Sequence, residues 1–237
     1  MSLKYKRILL KLSGEALMGE KKSGIDEAIL ESYARQICEI QALGVEVGIV
    51  IGGGNIFRGL SGTRAGFDRV TGDYMGMLAT VINGLALQTF INQAGGKART
   101  LTAIEMLPVA ERYSKFLSEE LFSRGNALVF TFGTGNPFFT TDTAATLRGV
   151  EIGADVVLKG TRVDGVYTAD PEKNPTAVKY KSLTFAEAYE KGLKIMDLTA
   201  FTMCQENNLP ILVFDMNTPG NLKKVVEGAE IGSLIHN

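Results

Sequence analysis

Short apolar runs alternate along this chain with longer stretches whose apolar residues recur every three or four positions. The first run, Arg7-Ile8-Leu9-Leu10-Lys11-Leu12, reads as a strand ended by Ser13-Gly14. A polar loop over 19–24 precedes a helix expected over 26–43, with Ile29, Ile37 and Ile40 on its apolar face and Gly44 at its C-cap. Residues 45–51 predict a second strand that runs straight into Gly52-Gly53-Gly54-Asn55. The following segment, to Gly72, is rich in Gly and Arg and reads as an exposed loop, with a helix opening at Asp73. Further strands are expected at 98–104, 127–132, 155–158, 210–214 and 231–235. Further helices are expected near 115–124, 143–153, 184–191, 197–206 and 221–227, with Asp197 as an N-cap. Strands alternating with helices imply an α/β fold, a three-layer αβα sandwich around a mostly parallel sheet. No repeat or low-complexity linker divides the chain, so a single domain over 1–237 is expected.

Ligands of such sheets bind beyond the carboxyl ends of the strands. Glycine-rich runs fall at those ends, after residues 12, 51 and 132, and Lys159 is expected to open a fourth loop. The richest run is Phe132-Gly133-Thr134-Gly135-Asn136-Pro137-Phe138-Phe139-Thr140-Thr141-Asp142, a strand-to-helix connection. Thr140, Thr141 and Asp142 stand where a helix needs caps, so hydroxyls and free N–H groups gather there as a seat for an anion. Capping explains these residues but not two aromatic residues in a polar loop.

Composition narrows the function classes. Of 237 residues 45% are hydrophobic and 22% charged, the make-up of a globular protein, and a net charge of −1 supplies no basic field for nucleic acid. Cys38 and Cys204 lie far apart without a CxxC, and His236 is the lone histidine, so neither a zinc site nor a disulfide framework is expected. Both cysteines read as buried thiols of a reducing compartment. The basic N-terminus is followed only by Ile8-Leu9-Leu10, too short for a signal peptide. Tyr74 to Gly96 carries no charge, but Thr80, Asn83, Gln88, Thr89, Asn92 and Gln93 interrupt it. It reads as a helix buried centrally or against a second subunit rather than a membrane span, and a cytoplasmic oligomer is expected.

GxxxxGK[ST], GxGxxG and GxSxG are all absent. Yet Lys11, Arg58 and Lys159 lie beside glycine turns that follow apolar strands. Phosphoryl transfer needs mostly positioning and electrostatic stabilisation. A phosphate acceptor, with a second pKa of about 6, is already ionised and needs no general base, which suits loops without histidine. Taken singly, Lys11, Arg58, Asp73, Asp142, Lys159, Tyr167, Asp170 and Asp197 are served as well by solvation, capping or turns.

Together these residues resemble the bacterial uridylate (UMP) kinases of the amino acid kinase family. The resemblance rests on Lys11-Leu12-Ser13-Gly14-Glu15-Ala16-Leu17, Ile51 to Gly59, Gly72-Asp73-Tyr74-Met75-Gly76-Met77, Gly133 to Asp142, and Lys159 to Pro171. It implies the amino acid kinase (carbamate kinase-like) fold, with an acceptor lobe over about 1–150 and an ATP lobe over about 151–237. It implies the reaction ATP + UMP → ADP + UDP, with Mg²⁺ carried on the ATP phosphates and no metal held by the protein. It places Lys11, Leu12, Ser13, Gly14, Gly54 and Arg58 on ATP phosphates, and Thr161, Tyr167 and Asp170 on adenine and ribose. Gly53, Asp73 and Thr134, Gly135, Asn136, Pro137, Phe138, Phe139, Thr140 and Thr141 would hold UMP. Lys11 and Lys159 would neutralise the transferred phosphoryl group, with Asp142 orienting them. A homohexamer built as a trimer of dimers is implied, with no nucleic acid or membrane partner. UTP inhibition and GTP activation are also implied, although between Gln88 and Arg99 only Lys97 and Arg99 are basic. The competing readings are a non-catalytic nucleotide or oxyanion storage module on the same fold, and a kinase of the same superfamily with another acceptor. Retention of both lysines and Asp142 weighs against the first. The Thr- and Phe-rich loop weighs against the second.

Overall fold

The structure, a computed structural model, describes residues 3–58, 66–171 and 173–237. In chain order the strands are β1 (Arg7–Leu12), β2 (Glu46–Ile51), β3 (Ala98–Thr102), β4 (Glu111–Arg112), β5 (Ala127–Thr131), β6 (Val156–Thr161), β7 (Ser182–Thr184), β8 (Ile211–Asp215) and β9 (Ser233–His236). The helices are α1 (Glu27–Ala42), α2 (Arg69–Gln93), α3 (Lys115–Ser123), α4 (Thr141–Glu151), α5 (Phe185–Glu190), α6 (Leu198–Glu206) and α7 (Asn221–Val226). The strands form one sheet in the order β4-β3-β5-β2-β1-β6-β8-β9-β7, parallel throughout except where β8 meets β9.

Side-chain alternation along the strands sorts the core into two layers. Ile8, Leu10 and Leu12 of β1 pack with Leu30, Tyr33 and Ile37 of α1, Leu87 of α2 and Leu222 of α7. Leu9 of β1, with Val50 and Val157, packs on the other face with Phe122 of α3, Ala144 and Ala145 of α4, and Phe201 of α6. Both faces are covered, as the near-continuous apolar strands require. The αβα sandwich expected from the alternation is therefore the observed architecture.

Several boundaries differ from the expectation. Helix α2 begins at Arg69, not Asp73, because the Asp68 carboxylate caps it by accepting from the Thr71 N–H at 3.1 Å. Asp73 thus lies one turn inside the helix. Helix α4 begins at Thr141 rather than Thr143, with Thr140 as its cap. Strand β6 continues to Thr161, so Lys159 is a strand residue and not the opening of a loop. A 3₁₀ turn over Gly14–Met18 and the short strands β4 and β7 carry no strong periodicity and were not expected. The part of the expected glycine-rich loop over 59–65 lies outside the described residues.

Helix α2 is long and apolar enough to cross a membrane by length and composition. In the fold Leu87 and Ile91 are buried against the sheet, and Asn83 is wholly buried as well. Val70, Tyr74, Leu78 and Ile82, spaced four apart, form an exposed apolar stripe on another side of the helix.

Candidate active site

Register brings the two lysines together. Parallel pairing sets Lys11 of β1 opposite Lys159 of β6. Both share the face of Leu9 and Val157, the face covered by α4. The first turn of α4 carries Asp142 to meet them. Its Oδ1 lies 2.8 Å from Lys11 Nζ, and its Oδ2 lies 3.2 Å from Lys159 Nζ. Lys159 also donates to the Ile195 carbonyl. All three side chains are largely buried. Burial pushes the Asp142 carboxyl upward, but the ammonium groups of Lys11 and Lys159 outweigh it and hold the carboxyl below its ordinary range. Burial lowers the Lys159 ammonium, and Lys11 lowers it further, against the opposing pull of Asp142. Two cations share one carboxylate at a helix N-terminus, where free N–H groups and ammonium groups together suit a polyanion.

Asp197, expected only as a cap, does more. It caps α6 by accepting from Ala200 N–H at 3.0 Å. It also accepts from the Thr143 hydroxyl at 3.0 Å and from the Thr140 hydroxyl. The N-termini of α4 and α6 are thereby pinned together around Asp142.

The glycine-rich loop between β5 and α4 is held from α2. Asp73 Oδ2 accepts from the Phe138 N–H at 2.8 Å and from Arg69 Nε at 2.7 Å. The Arg69 guanidinium also lies 5.5 Å from the Phe138 ring centroid. Phe132 and Phe138 have φ of 64° and 73°, a left-handed backbone that a side chain rarely adopts without tertiary support. Phe132 has that support, since its N–H donates to the Thr80 hydroxyl of α2 at 2.8 Å.

The glycines of the first two loops have a packing reason. A Cβ on Gly53 would stand 2.6 Å from the Gly76 carbonyl oxygen and 2.7 Å from Ala79 Cβ. Gly14 similarly abuts the Gly52 carbonyl. Backbone packs on backbone here, so closeness to a ligand is not these positions' only demand. A buried amide pair locks the arrangement. Asn83 Nδ2 donates to Asn55 Oδ1 at 2.7 Å and to the Gly52 carbonyl at 2.7 Å, while Asn55 Nδ2 donates to Asn83 Oδ1 at 3.0 Å. Asn83 went unrecognised in the sequence because a lone Asn in an apolar helix does not name its partner.

Three cavities open along this edge of the sheet. One of about 360 Å³ is lined by Gly53, Gly54, Arg58, Asp73, Thr140 and Thr141 among others, with Phe139 at its wall. One of about 600 Å³ is lined by Lys159, Thr161, Tyr167 and Asp170 together with 191–195. A third of about 450 Å³ lies beside Lys11 and Ser13. Gly54 and Arg58, which the resemblance put on ATP phosphates, thus line the same cavity as Asp73, and Arg58 is ion-paired with Glu15. Thr134, Gly135, Asn136, Pro137 and Phe138 do not line that cavity. The Asn136 N–H donates to the Thr134 hydroxyl at 3.3 Å, and Gly135 lies beside Ala103. Leu12 is wholly buried against α1, which leaves only its backbone for a ligand. Tyr167 donates to Asp164 at 2.6 Å, and Thr161 to the Val163 carbonyl at 2.5 Å. Cys204 is buried and Cys38 partly so, both as free thiols.

The donor set bears on Mg²⁺. Among the described residues no three His, Cys, Asp or Glu side chains gather as metal ligands. The central carboxylate is engaged by lysines and Glu15 by Arg58. These residues fit a cation that arrives on substrate phosphates, not one caged by protein carboxylates.

Known proteins are similar to this chain in sequence and fold. Residues 6–215 match the model of the amino acid kinase family. The uridylate kinase of Bacteroides thetaiotaomicron is 65% identical over 234 residues, which cover 99% of each chain. The solved structure of UMP kinase from Bacillus anthracis superposes with a TM-score of 0.94 at 37% identity, covering 98% of this chain and 96% of that one. The UMP kinase of Ureaplasma parvum does so with a TM-score of 0.93 at 37% identity, covering 99% of this chain and 100% of that one. The sheet order, the paired lysines and these likenesses together make the chain a member of the amino acid kinase family.

Proposed function

We propose that this protein is a UMP kinase, an ATP-dependent transferase that moves the γ-phosphoryl group to UMP and yields UDP and ADP. The reading rests above all on Lys11 and Lys159, paired across β1 and β6 and bridged by Asp142, with both lysines lining the 450 Å³ cavity and Thr141, next to Asp142, lining the 360 Å³ one. That is room for two nucleotides with cations where their phosphates would meet. Relatives named uridylate kinase, 65% identical over nearly the whole chain, direct the acceptor to UMP.

The chemistry follows from the side chains. UMP would occupy the 360 Å³ cavity, its ribose hydroxyls donating to Asp73 and its phosphate meeting Thr140, Thr141 and the α4 N-terminus. ATP would set its adenosine among Thr161, Tyr167 and Asp170 and extend its phosphates toward Lys11, Ser13 and Gly14. The acceptor phosphate is the nucleophile and is already ionised, so no side chain must take a proton. Lys11 and Lys159 neutralise charge on the equatorial oxygens of the transferred group, and Asp142 keeps both ammonium groups aimed. Mg²⁺ would arrive on the ATP phosphates rather than on protein carboxylates, and the chemistry it would supply is Lewis-acid neutralisation of phosphate charge.

On this reading the lobe before about residue 150 binds the acceptor and lends Lys11, Ser13 and Gly14 to the ATP phosphates, and the lobe after it binds the adenosine of ATP. The exposed stripe of α2 supports a dimer contact within a hexamer, and the enzyme works in the cytoplasm. Inhibition by UTP fits competition for the acceptor cavity, whereas GTP activation has little basic surface to rest on between Gln88 and Arg99. The test is a coupled ADP-release assay over a panel of nucleoside monophosphates, with UMP expected to be strongly preferred. ATP turnover equal with and without every acceptor would refute the reading. Asp73→Asn should raise KM for UMP by about tenfold, the size of one charge-assisted hydrogen bond, and leave KM for ATP nearly unchanged.

A further inference from the structure

The third cavity, about 450 Å³, lies where β1, β6 and β8 end. Lys11, Lys159 and Arg162 line it, with Ser13 and Asn217. Its one carboxylate among the described residues, Glu15, is ion-paired with Arg58. Such a lining favours a polyanion. It also shares Lys159 and Thr161 with the 600 Å³ cavity, so a chain of phosphates leaving that cavity toward Lys11 passes through it.

Asn217 is fixed from behind by α1. Tyr33, 2% exposed, donates its hydroxyl to Asn217 Oδ1 at 2.9 Å. Burial, helped by Asp215, pushes the phenol up to about 12, so it remains a donor at any working pH. One turn along the same helix, Gln36 Nε2 donates to the Met216 carbonyl at 3.1 Å. The Asn217 N–H donates to Asp215 Oδ1 at 2.9 Å. Backbone and amide plane are therefore both set. A carboxamide has one carbonyl and one NH₂ edge. With the carbonyl turned to Tyr33, the NH₂ edge is left for the cavity.

We propose that Asn217 binds the polyphosphate of the nucleoside triphosphate in this cavity, and that Tyr33 is a positioning residue that aims the Asn217 amide. The identity of the donor rests on the kinase reading given above. A neutral donor adds a directed hydrogen bond without adding to the charge of the lysines, so the nucleoside diphosphate product is gripped less hard than a third lysine would grip it.

Calorimetric titration of the full chain with ADP and with adenosine, alongside steady-state kinetics, tests this. Asn217→Asp keeps the shape and the acceptor for Tyr33 but turns a carboxylate oxygen to the phosphates. ADP affinity should fall about tenfold, while adenosine affinity and KM for UMP hold within about twofold. Asn217→Ala should weaken ADP about fivefold and Tyr33→Phe about threefold. Tyr33→Phe should add nothing in the Asn217→Ala background, the mark of action through that amide. Unchanged ADP affinity in Asn217→Asp, equal losses for ADP and adenosine, or additive losses in the double variant would each overturn the proposal. Should Asn217→Asp fail to fold, the other two variants and their combination decide it. A wild-type chain that binds ADP but phosphorylates no UMP would fail the kinase reading and leave this assignment standing.

Discussion

Asp142 is the residue on which the site's charge balance turns. Replacing it with Asn leaves two largely buried ammonium groups facing each other, and should cost about 3–5 kcal/mol of stability at neutral pH along with most of the turnover. The sign of its pH dependence is fixed. Its folded carboxyl titrates below the unfolded value of about 3.9, so its contribution is complete above that value and disappears as pH falls through the lowered one. Urea midpoints of wild type and Asp142→Asn should therefore differ at pH 7 and converge in strong acid. A constant gap down to pH 2 would reject the ion-paired account. Lys11→Met should cut kcat about 10²–10³-fold with an unchanged melting temperature, as when one transition-state contact is lost. Near-normal kcat would remove Lys11 from the chemistry. The lysines were legible because each follows an apolar run shortly before a glycine, and parallel register puts them on one face. Asp197 and Asn83 were less so. A cap and a lone helical Asn look alike wherever they occur, and their partners lie more than twenty-five residues away.

Among the elements, α2 shows where periodicity misleads. The uncharged run starts at Tyr74, which made Asp73 look like the cap, yet Asp68 is the side chain with a free N–H to accept from. Moving the start by a turn changes Asp73 from a helix end into a clasp on the loop between β5 and α4. The elements that were missed are the short ones, β4, β7 and the 3₁₀ turn, each too brief to show a period. Gly84 sits where α2 crosses β5, and a Cβ there would run into the Thr131 methyl, Cγ2. Gly84→Ala should lower stability by about 1–3 kcal/mol through overpacking. A chemical-denaturation midpoint equal to wild type would mean that the helix can shift away from the sheet.

For the whole molecule, the alternation of elements was enough to predict a parallel sheet clad on both faces, but not its order. The order depends on which strands cross over, and the antiparallel β8–β9 step left no mark in the apolar runs. The stripe Val70, Tyr74, Leu78 and Ile82 belongs to this scale too. Ile82→Lys should reduce the solution mass measured by light scattering at micromolar protein, because a charge within an apolar contact stays uncompensated. An unchanged mass would refute the stripe as the proposed subunit contact.

Placing β1 at the middle of the sheet also shapes how the chain comes together during synthesis. Its one side can zip to β2 almost at once, whereas the other must wait about a hundred residues for β6. At ordinary ribosomal speeds of 5–20 residues per second that delay is roughly 5–20 s, during which an open apolar ladder stands beside the future reaction centre. A newborn chain would therefore have particular need of a holding chaperone until its second lysine arrives.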